Sequence, residues 1–331
     1  MDPVFLMLVL AVILSYVYAF VGGFTDAANA IATSIGSRAL SPLHAVLMAG
    51  ILEIAGALTG TAVALTIGKG IVDLELITLG TVVAALLGTM TWSIFTYFYG
   101  IPVSETHGLI GGIIGAAIAV AGTDAVIWGS LTKVLLAIIF SPLLGFVGGL
   151  LLMHAIVLLF QNHRAHKMKF WFRNMQRLSA AYMAFSHGLN DAQKPMGILV
   201  MALALYYGWT DLSVPLWVIL SVGLVAGIGV AYGGWRIIKT LGMKITSLTP
   251  EQGFAAETSA ATVLQVASVF GIPVSTTHTI TSSIIGAGTA KRFSSVRWGL
   301  ASEIALSWVL TLPATIILGF IYAVVIGFIA P

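Results

Sequence analysis

The residues of this chain that could do chemistry are few. Asp26, Glu53, Asp191 and Glu257 each stand within long apolar sequence, and only Lys194 offsets them there. A charge kept away from water is expensive and marks a pathway or a binding site. Two of the acids lie in weakly matching segments, Gly23-Phe24-Thr25-Asp26-Ala27-Ala28-Asn29 and Gly188-Leu189-Asn190-Asp191-Ala192-Gln193-Lys194. Their carboxylate, amide and hydroxyl oxygens suit a hard cation such as sodium, or a proton, and not a transition metal. The chain has no cysteine, which excludes disulfides, thiolate metal sites and thiol nucleophiles.

A second element occurs twice. The string GIPVS runs from Gly100 to Ser104 and again from Gly271 to Ser275, 171 residues further on, and leads into Thr106-His107 and Thr277-His278. Proline is tolerated in the first turn of a helix, so Pro102 and Pro273 are expected there. The hydroxyls of Ser104, Thr106, Ser275, Thr276 and Thr277 would then stand beside unpaired N–H groups, which is a ready anion site. An anion can approach four acids and one lysine only if cations bind first or protons neutralise the acids, so cation coupling is expected.

Plainer roles stand beside these. His107 and His278 either touch the anion or bond a local carbonyl. Glu105 faces Thr276 in the other copy and is expected as a local hydrogen-bonding or rim residue, not a core ligand. Lys194 is read as the partner of a carboxylate, with anion contact as the alternative, and Gln193 is a candidate ligand. Glu53 and Glu257 have no matching acid in the opposite half and are open as coupling groups, gates or helix-packing residues. Ser104, His107 and Asp26 could also be drawn as a hydrolytic triad, since triads are defined by geometry and not by sequence order. Duplication argues against a hydrolase, and buried carboxylates in both halves argue against a channel.

The elements that carry these residues are membrane helices. Hydrophobic residues make up 59% of the chain and charged ones 8%, with a mean hydropathy of +1.03. A water-soluble globule could not cover that core, so the fold class is an all-α polytopic membrane protein. The net charge of +3 is too small to argue for nucleic acid. Apolar runs cover Val4 to Val21 with an extension toward Gly36, Leu43 to Ile67, Leu76 to Phe98, Val126 to Phe160, Leu178 to Tyr207, Val214 to Ile238, Phe254 to Phe270 and Trp298 to Phe328. The first reads as a span and not as a removed signal peptide.

Residues 1–160 and 178–331 form two repeats joined by a basic connector, 161–177, with Arg164, Lys167, Lys169, Arg173 and Arg177. The positive-inside bias makes that connector cytoplasmic, with both termini outside the cell membrane. Basic residues then collect on one side, and the two GIPVS excursions start from opposite faces. The expected architecture is therefore a pair of inverted-topology repeats with two helical hairpins. Glycine and small polar residues around Asp26 and Asp191 predict broken helices at those segments.

Taken in order, Gly22-Gly23-Phe24-Thr25-Asp26-Ala27-Ala28-Asn29-Ala30, Ser186-His187-Gly188-Leu189-Asn190-Asp191-Ala192-Gln193-Lys194 and both Pro-Val-Ser-x-Thr-His turns resemble the inorganic phosphate transporter (PiT) family. The resemblance spans nearly the whole chain. It implies uptake of inorganic phosphate by symport with sodium, or with protons as the alternative, in a homodimer in the lipid bilayer and with no cofactor; a sulfate permease is the neighbouring alternative. Asp26, Asn29, Asn190 and Asp191 are implied as cation ligands, and Glu53 and Glu257 as intramembrane glutamates. The hydroxyls of both turns are implied to face phosphate, joined by Thr25, Asn190 and Gln193. Thr25 departs from the family, which often has asparagine there. The short centre is that of a compact prokaryotic-type member.

Overall fold

A computed structural model describes residues 2–163 and 165–329, so Arg164 of the basic connector lies outside the described residues. The first half comprises α1 (Pro3–Gly36), α2 (Pro42–Ala57), α3 (Ala62–Gly70), α4 (Leu79–Tyr99), α5 (Glu105–Ala121) and α6 (Trp128–Phe160). The second comprises α7 (Ala165–Asp191), α8 (Gln193–Tyr207), α9 (Leu216–Tyr232), α10 (Trp235–Lys239), α11 (Pro250–Val269), α12 (Thr276–Lys291) and α13 (Trp298–Ile329). Several starts follow local rules. Asp2 and Ser41 cap helices whose first residue is proline, and Thr78 and Thr249 close capping boxes at the starts of α4 and α11.

Among the described residues, five helices are long and apolar enough to cross a membrane, and seven if each bent pair is one span. At 33 residues α6 extends about 50 Å, longer than a hydrocarbon core of about 30 Å, so it tilts or projects. Leu143, Leu144 and Leu151 on α6 and Val309 and Ile317 on α13 are exposed, the face an apolar solvent requires. The final run, Trp298 to Phe328, is one helix despite Pro313. The basic connector is largely helical, because α7 begins at Ala165 and carries Lys167, Lys169, Arg173 and Arg177.

Helix breaks are present, but of the two acid segments only that of Asp191 is interrupted. α1 runs unbroken through Gly22, Gly23 and Asp26. Only Ala192 separates α7 from α8, and its backbone is right-handed helical. Sharp bends lie between α2 and α3, 69°, and between α9 and α10, 54°. Glycine at the acid segments serves close approach instead of unwinding: a Cβ on Gly23 would lie 2.3 Å from the Ala226 carbonyl oxygen, and one on Gly188 would lie 2.2 Å from that of Glu53.

The two halves pack reciprocally. α5 lies on α13 and α12 on α6; α1 lies on α9 and α7 on α2; α1 meets α4 as α7 meets α11. Apolar side chains form two clusters. Tyr18, Leu109 and Met196 belong to one, and Ile31, Met183 and Ile280 to the other. Both α1 and the α7/α8 pair pass from one cluster to the other at the level of Asp26 and Asp191, which leaves a polar layer between them.

Candidate functional site

Each GIPVS turn is built the same way. α4 ends at Gly100 with φ +67°, and the matching turn has Gly271 at φ +66°, a left-handed conformation that glycine adopts without strain. In both copies two backbone bonds close the turn, Gly100 N to Tyr97 O with Ile101 N to Thr96 O, and Gly271 N to Ser268 O with Ile272 N to Ala267 O. The chain then extends to a serine N-cap. Ser104 Oγ accepts from His107 N and Ser275 Oγ from His278 N, each at 3.2 Å. Pro102 and Pro273 therefore stand two residues before the cap, outside any helix, and not in the first helical turn as expected.

The tips of the two hairpins touch. The rings of His107 and His278 are 4.6 Å apart, and Thr106 Oγ1 donates to the Val274 carbonyl at 2.8 Å. His278 also stacks on Trp308, whose indole N–H donates to the Pro102 carbonyl at 3.2 Å.

Beside the tips lie the acids. Thr277 Oγ1 donates to Asp26 Oδ1 at 3.2 Å, and Thr276 Oγ1 donates to Asp191 Oδ2 at 3.0 Å. Asn29 Nδ2 donates to both threonine hydroxyls, at 3.2 Å to Thr276 and 2.9 Å to Thr277. Asp26, Asp191 and His187 each place one ligand atom within 4.8 Å of the others. Glu53 joins through His187, whose Nδ1 is 2.7 Å from Glu53 Oε2 and whose Nε2 is 3.3 Å from Asp191 Oδ2. Lys194 Nζ donates to Asp191 Oδ1 at 2.7 Å. A cavity of about 20 Å³, room for about one water, is lined by Tyr18, Asp26, Glu53, Glu105, Asp191 and Lys194 among others.

Among the described residues no donor reaches Asp26 Oδ2, Asn29 Oδ1 or Asn190 Oδ1, and all three are buried. A buried acceptor without a donor is rare in native proteins, and acceptor-only oxygens are the ligands a hard cation takes. Asp26 and Asn29, one helical turn apart, put two of them on one face of α1.

Other residues are engaged elsewhere. Thr25 Oγ1 donates to Glu105 Oε1 at 3.0 Å, and Ser93 Oγ donates to Glu105 Oε2 at 2.9 Å. Glu105 is thus a buried residue of the site's wall: of the two roles expected, it takes the local hydrogen bonds and does not sit at the rim. Gln193 Oε1 accepts from Val63 N and Ala64 N at 2.8 and 3.1 Å, so the side chain caps α3. Asn190 Nδ2 donates to Ser268 Oγ at 2.8 Å.

Glu257 accepts from Thr33, Gln176 and Ser179, tying α1, α7 and α11 together. Thr33 is two turns beyond Asp26, about 10 Å along α1, so Glu257 stands apart from the cluster. The hydrolytic triad does not assemble: Ser104 Oγ caps the His107 backbone, and Asp26 accepts from Thr277. His187 was given no role from sequence. Its place one turn before Asp191 on the same helix is the signal that could have found it.

The sequence profile of the phosphate transporter family matches residues 22–319. A Bacillus subtilis protein named "Probable low-affinity inorganic phosphate transporter" is 42% identical over 97% of both chains. A Rhizobium meliloti protein of the same name is 46% identical over 89% of both. The solved structure of "The sodium-dependent phosphate transporter" superposes with a TM-score of 0.88 at 26% identity, covering 98% of this chain and 99% of that one. The matched family is one of transporters and not of enzymes, and this membrane protein belongs to the phosphate transporter family.

Proposed function

We propose that the chain imports inorganic phosphate by symport with sodium, through alternating access between two inverted halves. The observation that carries this reading is that the threonine hydroxyls at the N-terminus of α12 donate to Asp26 and Asp191. A hydroxyl has one proton to give. It can point at a carboxylate or at a phosphate oxygen, not at both. Sodium on the unpartnered oxygens of Asp26 and Asn29 would take over the charge of Asp26 and free Thr277 to turn toward phosphate. Cation binding thereby raises phosphate affinity, and reciprocity requires the converse. The N-termini of α5 and α12, each capped by a serine that keeps its own proton, supply further donors.

The reciprocal helix pairs support two-fold related halves, and the basic start of α7 supports a cytoplasmic connector. The name of the similar solved structure supports sodium. Proton coupling is the second reading, because a proton on Asp26 would also release Thr277.

Purified protein in liposomes decides between them. Labelled phosphate uptake should require an inward sodium gradient and should fall to background when choline replaces sodium at fixed pH. Uptake that persists in choline and follows a proton gradient would select the second reading, and gradient-independent flux would overturn symport.

A further inference from the structure

The two acid segments are related, and they differ at one telling position. Asp26 and Asp191 correspond, and three residues on the first half has Asn29 where the second has Lys194. Asn29 uses its N–H groups on the Thr276 and Thr277 hydroxyls, which leaves its own oxygen and Asp26 Oδ2 buried without a donor among the described residues. Asp191 has a donor on each oxygen: Lys194 Nζ on Oδ1 at 2.7 Å and Thr276 Oγ1 on Oδ2 at 3.0 Å. The Lys194 side chain is only 2% exposed.

An ammonium has three donors and no acceptor, so it can neutralise a carboxylate but cannot ligate a cation. A carboxylate with an amide oxygen one turn away can ligate one. With the two aspartates offering atoms within 4.8 Å of each other, both charges need compensation in a poorly hydrated layer.

We propose that Lys194 is a tethered counterion that takes the place of a coupling cation in the second half, so that each cycle uses one diffusible cation, held at Asp26 and Asn29. The proposal rests on the cation-coupled reading above and fixes the asymmetry of its site.

Lys194→Asn restores the Asp-x-x-Asn pattern of the first half. In proteoliposomes at fixed pH and clamped voltage, the sodium dependence of phosphate uptake should have a Hill coefficient of about 1 in the wild type, rising toward about 2 in the variant. Lys194→Arg keeps the charge and should keep the wild-type coefficient, whatever its rate. Radioactive sodium bound to detergent-purified protein gives a readout independent of transport: one ion per wild-type chain and two per Lys194→Asn chain. Two ions on the wild type, or an unchanged coefficient and stoichiometry in a folded Lys194→Asn protein, overturn the proposal alone. A wild type indifferent to sodium removes the sodium reading and this inference with it. Should Lys194→Asn fail to fold, the wild-type binding count still decides.

Discussion

Ser104-Glu105-Thr106-His107 and Ser275-Thr276-Thr277-His278 start their helices with the same serine-to-backbone bond, 3.2 Å in each, yet their side chains hold different things. At the first tip, Thr106 ties to the opposite turn through the Val274 carbonyl, and Glu105 takes the hydroxyls of Thr25 and Ser93. The second tip aims both of its threonines at aspartates. The two tips share a backbone device, a left-handed glycine, a non-helical Pro-Val and a serine cap, because each is a local solution that works at either end of the molecule. Their side-chain chemistry differs, and it does so around one shared layer. We infer that the first tip serves mainly as scaffold and the second as the main ligand end.

The sharpest way to break that comparison is to give the second tip the acid of the first. Thr276→Glu sets a third carboxylate beside Asp191 and removes a donor. Phosphate uptake in proteoliposomes should fall by more than about 100-fold, since a buried like-charge neighbour is not tolerated without a new counterion, while size-exclusion profiles stay monodisperse. Retained uptake would show that the second tip has no special role.

Thr277→Val keeps the shape and deletes the hydroxyl. A lost buried donor costs about 1–3 kcal/mol, roughly 5- to 150-fold in an equilibrium constant. The half-saturating phosphate concentration should rise by a factor in that range. Sodium binding measured without phosphate should not weaken, because the hydroxyl competes for Asp26. A parallel loss of both affinities would contradict the proton-sharing mechanism.

Thr106→Val tests the scaffold tip. It removes one hydrogen bond to a backbone carbonyl, worth about 1 kcal/mol, so thermal stability in detergent should drop modestly, with phosphate affinity changed by less than about threefold. If Thr106→Val and Thr277→Val prove equal in uptake, the assignment of scaffold and ligand ends fails. The smallest effects belong to Ser104→Ala and Ser275→Ala. Each loses the same N-cap bond, for about 1 kcal/mol, and their melting temperatures should fall together. Unequal falls would mean that the two caps do not stabilise their helices equally.

Much of this organisation was legible in the residues. The repeated GIPVS with its Thr-His tail marked two hairpins, and the hydropathy marked a membrane protein. The pairing of Lys194 with a carboxylate also followed from its neighbours in sequence. The unbroken α1 was not legible, because Gly22 and Gly23 are equally compatible with an unwound segment and with a close helix contact, and only the Ala226 carbonyl facing Gly23 distinguishes them. The partner of Gln193 was not legible for a related reason: its oxygen caps α3, which is 130 residues away at Val63.

Local sequence thus determined the elements and their duplication, since caps, turns and apolar periodicity depend on neighbours a few residues apart. Tertiary structure decided which polar groups share the site. Thr277 meets Asp26 across 251 positions and Thr276 meets Asp191 across 85, while Glu257, equally apolar in its surroundings, is drawn into a separate hydrogen-bonded knot. The physical reason is that periodicity states which face of a helix is buried but not which other face it is buried against, and in this polar layer the partner decides the chemistry.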